Sequence, residues 1–142
     1  KLLFNVKASF VINNPEEELI YLELTYKFIK ESPLYGGFVN IAIPLPGTPY
    51  WDYAMDEGLV SHNMCFDELT IKTDIKSLQE NGFIKLSKNI NHSEILAWGV
   101  RIQKELHKKE VSSLKKLFTI NNLKIAIQNP SLAIKYFKSL FS

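Results

Sequence analysis

At 142 residues, 46% of them hydrophobic and 23% charged, the chain has the makings of one soluble folded domain, which excludes a disordered or low-complexity segment. No stretch approaches the roughly 18 consecutive apolar residues of a membrane span, and the single cysteine, Cys65, excludes an internal disulfide and points to a reducing, cytoplasmic setting. The net charge of +2 hides an asymmetry: residues 1–99 carry 8 Lys+Arg against 13 Asp+Glu, a balance of −5, and residues 100–142 carry 9 against 2, a balance of +7.

The opening Lys1-Leu2-Leu3-Phe4 has no polar lead-in and no cleavable signal pattern, so the chain reads as cut from something longer. Val6–Ile12 is a β-branched and aromatic run of strand length. Asn14 then suits a helix cap, Pro15 the first helical position, and Glu16, Glu17 and Glu18 the positive end of a helix dipole. Leu19, Leu22, Tyr26 and Ile29 follow at helical spacing, with Ile20, Leu24 and Phe28 broadening the apolar face. Pro33 ends the helix by Ser32. Gly36-Gly37 turns the chain into Phe38–Ile43, whose alternating positions are apolar on both sides save Asn40, the pattern of a strand covered on each face. Strand, helix and strand joined by short loops predict a βαβ unit with parallel strands and a right-handed crossover.

Pro44-Leu45-Pro46-Gly47-Thr48-Pro49 breaks both periodicities, and Tyr50–Glu57 is a short helix stopped by Gly58. Phe66–Lys72 and Phe83–Leu86 read as short strands, with Asn81-Gly82 as a turn. Asn91 and Glu94 resemble a capping box, followed by a long helix with Ile95, Trp98, Ile102 and Leu106 on its apolar face. A further helix is predicted over Ser112–Ile127, with a break at Asn121-Asn122. A last helix, Ser131–Phe141, follows Asn129-Pro130; it carries Leu132, Tyr136, Phe137, Leu140 and Phe141 on one side and Lys135 and Lys138 on the other. The basic excess of this tail reads as a solvated face, because no aromatic–basic interleaving marks it for nucleic acid; anchoring of the last helix on a membrane surface is the weaker reading. Residues 1–60 and 61–142 thus form two parts, an α/β unit and a mostly helical extension.

Two parallel strands and one helix leave two sheet edges and much of each strand bare. At about 25 cal/mol per Å², a missing layer forfeits energy comparable to the whole stability of a small domain, about 5–15 kcal/mol. Further strands of a parent chain, a partner, or the helical tail folding back must cover it.

Two segments carry a family resemblance. ASFVINNPEEE at 8–18 is similar to the fifth-strand segment of radical S-adenosylmethionine (radical SAM) enzymes, which often reads Gly-x-Pro-Gly-Glu. NIAIPLPGTPYWDYAMDEGLV at 40–60 resembles the sixth-strand end of the same enzymes, where Pro-x-Pro-Gly-Thr leads into an aromatic-rich helix and a Gly-Leu. NPSLAIKYFKSLF at 129–141 is like the final helix of cobalamin-binding members. The resemblance implies a partial (β/α)6 TIM-like barrel, of which residues 1–60 are the last two strands and helices. It also implies a parent enzyme that uses S-adenosylmethionine, a [4Fe-4S] cluster and possibly cobalamin.

Pro15 and Glu17 match the fifth-strand motif, while Asn13 and Glu16 stand where it has glycines. The positions implied to bind cofactor are Asn13, Asn14, Glu17, Asn40, Ile41, Pro44, Pro46, Gly47 and Thr48, all near the strand ends. The cluster needs three thiolates, and this chain has only Cys65, so no catalytic residue is expected in it. The expected partner is the rest of the parent barrel, or a protein covering the sheet edges.

Other candidates have plainer explanations. His62 and Cys65 lie three apart, but no second pair follows at zinc spacing. His92 and His107 are isolated. Glu16, Glu17 and Glu18 are accounted for by a helix amino terminus, and Tyr50, Trp51 and Tyr53 by packing under the proline loop rather than by lining a substrate mouth. A different class of function, a free-standing interaction module pairing through exposed strand edges, fits the same bare strands.

Overall fold

A computed structural model describes residues 6–64 and 82–117 and the positions 128 and 130, with side chains described to residue 113 of the last helix. The chain divides into two compact units, Lys1–Lys109 and Glu110–Ser142. The elements are β1 (Lys7–Ile12), α1 (Leu19–Glu31), β2 (Gly36–Ile41), α2 (Pro49–Asp56) and α3 (His92–Leu117).

β1 and β2 pair in parallel, as the βαβ pattern predicts, with Lys7 opposite Gly36 and Ile12 opposite Ile41. The ladder runs one bond further, Ala42 N–H donating to the Ile12 carbonyl at 2.8 Å. Alternation along the two strands sends Phe10, Ile12, Val39 and Ile41 to one face. There they join Leu22 and Ile29 of α1 and Ile95, Ile102 and Leu106 of α3 in a single core cluster. The opposite face carries Val11 and Phe38, 52% and 58% exposed.

The expected partial (β/α)6 barrel is therefore corrected. Among the described residues the sheet has two strands, and the layer that completes its buried face is α3, not further strands. The physical reason lies in α3 itself. Its stripe of Ile95, Ile102 and Leu106 is fully buried, so the helical tail supplies the apolar area that the βαβ unit lacks. Among the described residues the double-sided covering expected of FVNIAI is not seen: Val39 and Ile41 pack against the helices, while Phe38 on the other face is 58% exposed.

α1 begins later than Asn14 and Pro15 predict. Its N-cap is Glu18, without a side-chain capping bond. The preceding residues form a turn instead, in which Glu17 N–H donates to the Asn14 carbonyl at 3.1 Å. Leu22 and Ile29 are the buried residues of α1, whereas Leu19, expected on the same core stripe, and Ile20, Leu24 and Phe28, expected to broaden it, are exposed. The last turn is secured by Lys109, whose Nζ donates to the carbonyls of Lys30 (3.1 Å) and Ser32 (2.8 Å).

The β2 edge away from β1 is met by a side chain, Val39 N–H donating to Gln103 Oε1 at 3.1 Å. The capping box of α3 is present: Asn91 Oδ1 accepts from Glu94 N–H at 2.8 Å, and Asn91 N–H donates to Glu94 Oε2 at 3.3 Å. Phe83–Leu86 is not a strand. Phe83 stacks on His92 with ring centroids 4.0 Å apart, and the backbone of residues 84 and 86 bonds to a side chain described below. Cys65, Phe66–Lys72, residues 118–127 and Ser131–Phe141 lie outside the described residues. No helix among the described residues is long and apolar enough to cross a membrane.

Candidate functional site

Because β1 and β2 are parallel, the residues that follow both strands emerge at one end of the sheet. This brings together Asn13, Asn14 and Glu17 from the first crossing and Pro44, Pro46, Gly47 and Thr48 from the second. The centre of the arrangement is Asn13, fully buried and in a left-handed backbone conformation, φ 76°, which asparagine tolerates better than most residues. Its Nδ2 donates to the carbonyls of Ala42 (2.9 Å) and Ile84 (3.0 Å). Its Oδ1 accepts from the N–H groups of Leu86 (3.0 Å) and Ser87 (3.3 Å). One amide thus ties the end of β1 to the end of β2 and to a segment more than seventy residues away. All the hydrogen-bonding capacity of the side chain is used within the protein.

Glu17 sits beneath this clasp. Its Oε2 accepts from Asn13 N–H at 2.6 Å and its Oε1 from Asn14 Nδ2 at 3.4 Å. Burial pushes the Glu17 carboxyl above its ordinary value of 4.5, and the hydrogen bonds from Asn13 and Asn14 oppose that rise without cancelling it. A raised carboxyl pKa means the folded chain holds a proton that the unfolded chain has released. Its stabilising contribution is therefore complete below pH 4.5 and falls away as the pH climbs through the raised value. Glu17→Gln, which cannot ionise, should remove this decline; urea unfolding of both proteins across that pH range measures it, and equal slopes would refute it.

Asn14 Oδ1 accepts a hydrogen bond from the Tyr50 hydroxyl, joining the first crossing to α2. Ser87 Oγ donates to the Glu17 carbonyl at 3.3 Å, and Lys88 N–H donates to the Pro15 carbonyl at 3.0 Å. Tyr50 and Ser87 are members of this network that spacing in the sequence did not single out as such: an aromatic after a proline loop and a lone serine carry no signal until the chain is folded.

The second segment is built around α2. Thr48 is its N-cap, the hydroxyl accepting from Trp51 N–H at 3.3 Å and donating to the Leu45 carbonyl at 2.7 Å. Gly47 takes φ 81°, Pro46 is exposed and Pro44 is fully buried. Tyr50, Trp51 and Tyr53 pack against a small core of Ala42, Ala54, Val60 and Leu86, and Tyr53 donates its hydroxyl to the Leu86 carbonyl at 3.0 Å. Packing explains these aromatics. Asn40 and Ile41 diverge: Ile41 is a core residue, 1% exposed, whereas Asn40 lies on the open sheet face and donates from Nδ2 to Ser9 Oγ at 3.2 Å.

No family model, curated protein or solved structure matches this chain. Among the described residues no group of three or more His, Cys, Asp and Glu side chains could hold a metal ion. A [4Fe-4S] cluster does not fit the residues of this chain, since it demands three thiolates and the sequence contains one cysteine.

Proposed function

We propose that the chain is the carboxy-terminal portion of a radical SAM enzyme, contributing to the adenosylmethionine and substrate side of the parent's site and inactive alone. One observation carries this reading. The two segments that resemble the family, 8–18 and 40–60, leave parallel strands at the same end of the sheet and are bonded to each other there, Asn13 to Ala42 and Tyr50 to Asn14. Of the positions implied to bind cofactor, Asn40 on the open face, with Ser9, Val11 and Phe38 around it, is the best placed to meet a ligand. Asn13 acts as scaffold. The cluster, its cysteines and any cobalamin would belong to polypeptide outside these 142 residues, and a cytoplasmic location belongs to the same proposal.

The test is the coding frame upstream. The expected result is an open frame encoding Cys-x3-Cys-x2-Cys ahead of Lys1, and a transcript whose translation starts at this segment would end the reading.

A further inference from the structure

We draw no further inference here: the strongest candidate, the open face of the β1–β2 sheet around Val11 and Phe38, 52% and 58% exposed, carries nothing because nothing among the described residues shows what covers it.

Discussion

Asn13→Ala is expected to lower the stability of the chain by about 5 kcal/mol, enough to leave a marginal domain largely unfolded near body temperature. The side chain makes four hydrogen bonds to buried backbone, to Ala42, Ile84, Leu86 and Ser87. Truncation leaves those groups without partners, at about 1 kcal/mol for each bond lost. The left-handed backbone, φ 76°, adds about 1 kcal/mol once the residue is an alanine. The two contributions separate experimentally. Asn13→Gly relieves the backbone but still loses the bonds, so it should fall about 1 kcal/mol short of the alanine variant. Urea unfolding of the three proteins provides the comparison; if both variants stay within 1 kcal/mol of the parent sequence, the clasp contributes little.

Gly37→Ala should be as damaging, for a steric reason. A Cβ at this position would stand 2.0 Å from the carbonyl oxygen of Ala8, its partner across the ladder. The obstacle is backbone rather than a flexible side-chain end, so the strands must separate or slip, and a slip of one residue turns every core side chain outwards. A loss of about 4 kcal/mol or more is expected. Gly47→Ala supplies the contrast, because an added Cβ there meets nothing within 4 Å and only the positive φ of 81° is unfavourable; its cost should be about 1 kcal/mol. Thermal unfolding monitored by circular dichroism ranks the two, and an equal, small effect of both would refute the close approach.

The βαβ unit and the capping box at Asn91 are legible in the sequence because each rests on local rules: β-branched runs of strand length, a glycine pair before an apolar run, and an asparagine three residues before a glutamate. The partner of the sheet is not local. Ile95, Ile102 and Leu106 announce an amphipathic helix, but periodicity says only that the stripe needs cover, not that β1 and β2 provide it. The resemblance to a barrel filled that gap with strands where the chain uses α3. Asn14, Pro15 and the acidic run satisfy every preference of a helix start, yet the Glu17 side chain is drawn back to Asn13 N–H and the helix waits until Leu19. At the strand ends, Asn13 stood out from the motif as an intrusion on a glycine position. What the sequence could not supply was its set of partners, Ile84, Leu86 and Ser87, which folding alone brings within reach.

The bond between Val39 N–H and Gln103 Oε1 closes a backbone donor on the outer flank of β2. An incoming strand beside β2 would have to evict the amide that already occupies the donor at the centre of that edge, and α3 with it, disturbing a core that includes Ile102. Recruitment on that flank is thereby penalised in advance, by a single glutamine acting as a stopper.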